Sequence, residues 1–542
     1  MSDATHPLAA PFARWLAAQV PPEARAAVSR VAEQLVIARA AGDTWIDAGA
    51  DAPMLRTSGI AGTLTGAVCP LIIAENRVWL RACRAAESQL AQRVRALATH
   101  TPRALTRVQE QFLAAAAGDP LQQRAVRSAC THHLAVITGG PGRGKTWTLV
   151  RAAAAMLVAD PNRRVRLAAP TGKAAQRLRD AVTQAIADPQ LRAELTTCAD
   201  SSIATRTLAA LGEAANAATT VHRLLGYRPD DDRFRYHARA PLAADLVIID
   251  EAGMLDLHVA DALLGAIANG TSLILAGDAD QLPSVEAGGV FAALVAAGGQ
   301  LAACTTVLTR DFRTDAASRA LRDLAEAVRR GDAESAWAAL SANTASAQLV
   351  EPSHAETAVW EWYADPAQRT LTATDPATAL AAADEIRVLC ALRDGSWGVA
   401  GWTQRMRHRL NLQADDARGP VLVTVNDAST RLANGDVGVV LERQAWFRDR
   451  TSTAGQRSVP LARLPTHESA WAMTVHKAQG SEHPAVVLVL PLEPHPLVTR
   501  ALLYTGLTRA RSRVLIVATK SALTAAIAAV TRRREGLSEL LV

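Results

Sequence analysis

The segment GGPGRGKT, Gly139–Thr146, has the spacing G-x-x-x-x-G-K-[ST]. Glycines at those places let backbone N–H groups turn inward on phosphate oxygens. Lys145 can neutralise the β- and γ-oxygens, and the Thr146 hydroxyl can ligate Mg²⁺. The chemistry is nucleoside triphosphate binding, with Gly139, Gly140, Pro141, Gly142, Arg143, Gly144, Lys145, Thr146 and Trp147 as candidate contacts. A chance glycine-rich loop is the competing reading, and an apolar strand before it and a helical stretch after it weigh against that. Further along, ADLVIIDEAGM ends an apolar run with Asp250 and Glu251. Asp250 there can hold the cation, and Glu251 can orient and deprotonate a water attacking the terminal phosphate. Acidic residues at a strand end are common alone; beside a phosphate loop they argue for hydrolysis over storage. In LILAGDADQLPSVEAGG, Gly277, Asp278 and Gln281 follow another apolar run, where the Gln281 amide can sense the γ-phosphate. Arg313 in LTRDFR and Arg509 in LLYTGLTRARSR are candidate arginine fingers for the transferring phosphoryl group.

These residues need elements to hold them. LAVIT, VRLAAP, ADLVIIDEA and TSLILAGD are short apolar runs separated by alanine-rich helical stretches, the pattern of a parallel sheet covered on both faces. They define an α/β domain over residues 106–320. A second α/β domain over 321–542 is read from EIRVLCAL, SAWAMTVHKAQG, AVVLVLPL and SRVLIVAT. Between these, at about 418–466, GPVLVTVND, NGDVGVVLE and QRSVPLARL are broken by turn residues and read as a small β insertion. Residues 1–105 are mainly helical by spacing, with a short strand-like CPLIIAENRVWL.

Composition narrows the classes. A chain of 542 residues with 49% hydrophobic and 20% charged residues is globular and long enough for several domains. A net charge of +6 fits a polyanionic partner without naming one. Six cysteines lie far apart, with no C-x-x-C pair and no zinc spacing, and are expected to be reduced. No basic-then-apolar leader and no run of about 20 apolar residues is present, so a soluble, cytoplasmic protein without membrane contact is expected. Positive charge is carried almost wholly by arginine: of 58 Lys+Arg only Lys145, Lys173, Lys477 and Lys520 are lysines. A compact ammonium and a planar guanidinium are not equivalent in a tight site, so each lysine is a pointer to be judged by its surroundings.

The ordered motifs resemble the RecD family of superfamily-1 helicases, the α chains of exodeoxyribonuclease V (RecBCD), over residues 105–520. Gln122, in LQQRAV before the phosphate loop, fits the family's adenine-reading glutamine; APTGKAA (Ala169–Ala175) and TTVHRLLG (Thr219–Gly226) look like its strand-backbone motifs. LCALRDGSWGVAGWTQRM, NGDVGVV, HESAWAMTVHKAQGSE and YTGLTRAR follow at similar intervals. The resemblance implies two RecA-like motor domains with ATP and Mg²⁺ between them, an SH3-like insertion in the second, and 5′-to-3′ movement along DNA. It implies that Thr171, Lys173, His222, Thr474 and His476 face the strand, that Gln479, Gly480 and Glu482 turn toward nucleotide, and that Lys477 sits at their junction. It further implies single-stranded and duplex-end DNA as substrates, RecB-like and RecC-like subunits as partners in a heterotrimer, and residues 1–105 as the docking domain. Three departures stand out: Gly253 where relatives have serine after DEA, and Arg143 and Trp147 where they have small residues.

A stand-alone RecD-like helicase is the first alternative; such relatives carry tandem helix-hairpin-helix signals before the motor, and residues 1–105 show none. A motor-dead structural subunit is the second, opposed by Lys145, Asp250, Glu251, Gln281 and Arg509. An RNA helicase of related type is a third, since backbone-gripping motifs do not read the sugar. No nuclease centre is expected: Asp230, Asp231 and Asp232 form the nearest acidic cluster, and a solvated loop accounts for it.

Overall fold

The computed structural model describes residues 6–116, 118–312, 316–342, 344–413, 416–427, 429–449, 455–531 and 533–542, apart from the side chains of Gln300, Ala316 and Ser318. Six parallel strands form the first sheet, in the spatial order Thr305–Val307, Leu134–Thr138, Ser272–Gly277, Leu246–Ile249, Val165–Ala169, Thr219–Thr220. The apolar runs read from sequence are its central strands, buried on both faces because helices cover both. Alternation decides which residue meets which layer. Leu134, Val136, Val247, Ile249, Leu273 and Leu275 pack toward one set of helices. Ala135, Ile137, Leu246, Ile248, Ile274 and Ala276 pack toward the other.

Helix Arg81–Thr99 belongs to the first of those layers. Cys83, Leu90 and Val94 from this helix are buried among Leu134, Val136, Val247 and Leu273. Ahead of it, Ala9–Ala17 and Arg25–Ala40 pack on a four-stranded sheet, in the order Trp45–Asp47, Arg77–Leu80, Leu71–Ala74, Ala61–Gly62, and enclose their own apolar cluster. The N-terminal segment is thus mainly helical with a small sheet, of which only the hairpin 71–80 is visible as strand pattern in the sequence.

The second sheet has five parallel strands in the order Ala347–Val350, Ala510–Val517, His483–Val489, Ile386–Cys390, Ala472–Thr474. In the chain between Ile386–Cys390 and Ala472–Thr474 lies a separate five-stranded antiparallel sheet, ordered Gln456–Pro460, Gln444–Arg448, Val437–Leu441, Gly419–Val423, His467–Ser469. The molecule is α/β with two parallel sheets, an antiparallel insertion in the second half and a mainly helical start. After helix Lys520–Ala528 the chain returns to the first half, where Leu537 and Leu541 of the terminal helix are buried beside helix Arg81–Thr99. No helix among the described residues is long and apolar enough to cross a membrane.

Candidate active site

Parallel strands put their carboxyl ends on one edge, and the chemistry-bearing residues leave the first sheet there. Thr138 opens the phosphate loop, Ile249 is followed by Asp250 and Glu251, and Gly277 by Asp278. The loop runs into helix Lys145–Ala159 through Gly144, at φ +76°; a Cβ there would lie 2.3 Å from the Gln122 side-chain nitrogen. The left-handed backbone favours glycine, whereas the Gln122 amide, at the end of a flexible side chain, could turn aside.

A cavity of about 340 Å³ opens at this edge, lined by Gly140–Trp147, Arg177, Asp250, Glu251 and Gln281, and by Glu482 and Arg509 from the second half. Its volume lies in the usual range for ligand sites, about 300–1,000 Å³. Lys145 donates from Nζ to the carbonyls of Gly139 (2.6 Å) and Gly140 (3.2 Å). Desolvation pushes the Asp250 carboxyl up to about 6, with the neighbouring Glu251 carboxylate adding to the rise and Lys145 opposing it. Glu251 has a left-handed backbone, φ +54°, uncommon for a residue with a side chain and a mark of strain at functional positions.

Hydrogen bonds join the two halves across this cavity. Arg509, 2% exposed, donates to Gln281 Oε1 (3.0 Å) and to the Ser481 carbonyl (3.0 Å). Gln281 donates to Asp278 Oδ2 (3.0 Å), which also accepts from the Tyr504 hydroxyl (3.1 Å). Leu282 N–H donates to Thr505 Oγ1 (2.8 Å), and Gln479 donates to the Leu282 carbonyl (2.9 Å). Arg177 donates to the Gly480 carbonyl (3.0 Å) and pairs with Glu482 at 3.5 Å. A ligand placed against Lys145 would therefore touch, through one cluster, residues carried by both sheets.

Residues 122–287 match the family model of an AAA domain, and residues 469–517 that of the UvrD-like helicase C-terminal domain. The RecBCD enzyme subunit RecD of Mycolicibacterium smegmatis is 36% identical over 516 residues, which cover 92% of this chain and 86% of that protein. The chain belongs to the RecD family. RecD of Mycobacterium tuberculosis H37Rv is 37% identical over 433 residues, covering 77% of this chain and 72% of that one. The ATP-dependent RecD2 DNA helicase of Deinococcus radiodurans is 31% identical over 420 residues, covering 76% of this chain and 50% of that protein.

Within this RecD-family chain, most of the residues singled out by motif converge on the cavity, and several stand apart from it. Gly139 lies behind the loop, its N–H on the Gly277 carbonyl (3.2 Å). Gln122 is buried beside Gly144 and also serves as the N3 residue of a capping box with Asp119. Gly480 packs near Thr171. Arg313 lies outside the described residues. Arg143 lines the cavity and pairs with Glu326 of helix Ala316–Arg330 at 3.5 Å. Trp147 also lines it, with the guanidinium of buried Arg151 over its ring at 3.9 Å. Gly253 explains itself by space: a Cβ there would sit 3.1 Å from the Asp278 carbonyl oxygen.

The strand candidates lie outside the cavity lining, some in each half. Thr171 caps helix Gly172–Ala187 by accepting from the Ala174 N–H (3.2 Å). Burial lowers the Lys173 ammonium to about 8, while Asp384 and Asp436 of the second half oppose that shift. His222 is exposed and stacks with Tyr227 (5.4 Å) and Phe234 (6.0 Å), the base of a hairpin whose tip carries Asp230–Asp232. Thr474 accepts from the Lys477 N–H (3.3 Å), and His476 stands at the surface. Lys477 pairs with Glu468 of the antiparallel insertion at 2.5 Å, and Lys520 lies 4.8 Å from the Trp337 ring centre.

Sequence reasoning passed over Arg177 and Tyr504. Arg177 is one arginine among many, and only its place one helical turn beyond Lys173, on the same face, could have marked it. Tyr504 lies inside a motif string, but its bond to Asp278 joins residues 226 positions apart, which no local pattern shows.

Proposed function

We propose that this chain is the ATP-driven DNA motor subunit of a RecBCD-type helicase–nuclease, moving 5′ to 3′ along one strand. The observation that carries the reading is the Gln281–Arg509 hydrogen bond beside the Lys145 loop: the residues that would surround a terminal phosphate line one cavity, come from two parallel sheets, and two of them bond across the cleft. Making and losing the γ-phosphate then changes the contact between the halves, and alternate gripping of a strand turns that change into steps. Names of relatives support the substrate and the assembly: RecBCD subunits at 36–37% identity and an ATP-dependent DNA helicase at 31%.

The residues present fit a hard divalent cation. Asp250 is a desolvated carboxyl offset by Lys145, by the Glu251 N–H it accepts from and by Arg177, and Thr146 offers a hydroxyl on the same cavity wall. Thr146 and Asp250 would hold Mg²⁺, which would supply positive charge to offset that of the phosphates. Glu251 accepts the proton of the attacking water as its oxygen bonds to the γ-phosphorus and the β–γ bridge breaks. Lys145 and Arg509 stabilise the charge left on the phosphates, and Gln281 orients the water or the γ-oxygens. Thr171, Lys173, His222, Thr474 and His476 are assigned to the strand, Arg313 to a second finger, and residues 1–105 to a RecC-like partner beside a RecB-like one. A DNA substrate in turn implies work in the cytoplasm. The match favours a subunit over a stand-alone helicase: it takes in 92% of this chain at 36% identity for a RecD subunit and 76% at 31% for RecD2.

The test is hydrolysis and unwinding by the full chain, alone and with RecB-like and RecC-like partners, on duplexes bearing a 5′ or a 3′ tail. Unwinding from 5′ tails only, lost in Lys145→Gln, is the expected result, with a gain on adding partners. Hydrolysis unaffected by DNA in every setting would leave a structural subunit instead.

A further inference from the structure

The chain from Gly277 to Gly288 begins at the nucleotide cleft and ends elsewhere. Its first part is held by the second half through Arg509, Tyr504, Thr505 and Gln479. Its last part is held by a residue 245 positions on. The Arg533 guanidinium donates to the carbonyls of Ser284, Glu286 (2.8 Å) and Gly288 (2.9 Å). Three carbonyls spread around one planar fork match a guanidinium, whereas a compact ammonium would have to draw them toward a single point. The seat is built from the N-terminal segment as well: Gly42 accepts from the Gly288 N–H (3.0 Å), and a Cβ on Gly42 would lie 2.6 Å from Arg533 Cζ.

Arg533 itself is anchored. The next residue, Arg534, is hydrogen-bonded to Asp43 and Thr44, and Gly536 N–H donates to buried Glu87 (2.7 Å). Leu537 and Leu541 then enter the core of the first half. Along the loop thus pinned, Val285 is 67% exposed, while His476, exposed at its edge, is packed closely enough by its neighbours that desolvation, and after it the charge of Arg533, lowers the pKa of its ring. One short loop therefore runs from the γ-phosphate cluster to the side that carries a strand candidate.

We infer that Arg533 is a positioning residue: it fixes the far end of the Gln281 loop, so that a strand held at that end alters the Gln281–Arg509 contact at the other. The inference rests on the motor reading above, and its test separates the two. Basal and oligo-dT-stimulated ATP hydrolysis are measured on the same preparations of full-length wild type, Arg533→Ala, Arg533→Lys and Glu539→Gln. The ratio of stimulated to basal kcat is the readout, because a partly unfolded sample lowers both rates and leaves their ratio alone. Arg533→Ala is expected to lower that ratio about tenfold, a usual size for coupling between two sites, with KM for ATP within about twofold. Arg533→Lys falls between, and Glu539→Gln, on the same strap but paired to Arg77 at its outer side, keeps the wild-type ratio. An unchanged ratio in Arg533→Ala, or a parallel fall of both rates, overturns the inference while the motor stands. A wild-type chain that hydrolyses no ATP removes the motor reading itself.

Discussion

Gly253 occupies a place where a side chain would press on the Asp278 carbonyl, and Asp278 is the acceptor on which both Gln281 and Tyr504 rest. Serine at that position needs the Asp278 carbonyl to give by a few tenths of an ångström, and where it does not, overpacking costs about 1–3 kcal/mol. Gly253→Ser is expected to lower DNA-stimulated kcat severalfold and to reduce stability in a denaturant melt. Wild-type values on both would show that the backbone gives way freely. Around this point the sequence was unusually legible: a phosphate loop, a paired carboxylate and a terminal glutamine each have a fixed chemistry, and motif spacing finds them. What spacing does not show is how a charged group is satisfied. Arg143 turns to Glu326, Trp147 takes Arg151 over its ring, and Lys477 pairs with a carboxylate of the inserted sheet. Those partners are brought by the fold from other parts of the chain.

At the scale of elements, the central strands were readable because burial on both faces demands an uninterrupted apolar run. The edge strands Thr219–Thr220, Thr305–Val307 and Ala347–Val350 were not, being too short to display a period. In the inserted sheet, Gln444–Arg448 and His467–Ser469 are half-buried and carry polar residues, so they lack the signal of their neighbours. Helix Arg81–Thr99 illustrates a different limit: its amphipathic spacing announces an apolar face without saying what covers it. The face meets the first parallel sheet, with Leu90 fully buried there, whereas Leu16 lies in the separate N-terminal cluster. Leu90→Ala should cost about 2–5 kcal/mol and lower the temperature at which ATP hydrolysis is lost. Leu16→Ala should spare that temperature even where it loosens the N-terminal segment. Equal shifts in heat-inactivation profiles would mean that the two clusters unfold as one.

For the whole molecule, the arrangement is one of two parallel sheets joined by hydrogen bonds at a shared cleft and laced together by a C-terminal strap that returns across the first half. The economy of lysine in this chain acquires a practical meaning there. Each of its four side-chain amines stands at a different joint: Lys145 on the phosphate loop, Lys173 where helix Gly172–Ala187 faces Asp384 and Asp436, Lys477 on the inserted sheet, and Lys520 over Trp337. An acylating reagent read out by peptide mass spectrometry would thus report four mechanical contacts with almost no background. Only the neutral amine is acylated, and Lys173 holds its proton to about pH 8 instead of about 10.5. Its labelling should rise between pH 7 and pH 9 with a midpoint near 8, and a midpoint above 10 would place that ammonium in open water. By the same lowering, the folded state binds fewer protons than the unfolded one between the two values, so this lysine opposes folding below pH 8 and ceases to do so as pH climbs through that window. A protein that spends arginine everywhere else has, in effect, left four chemical reporters wired to its own moving parts.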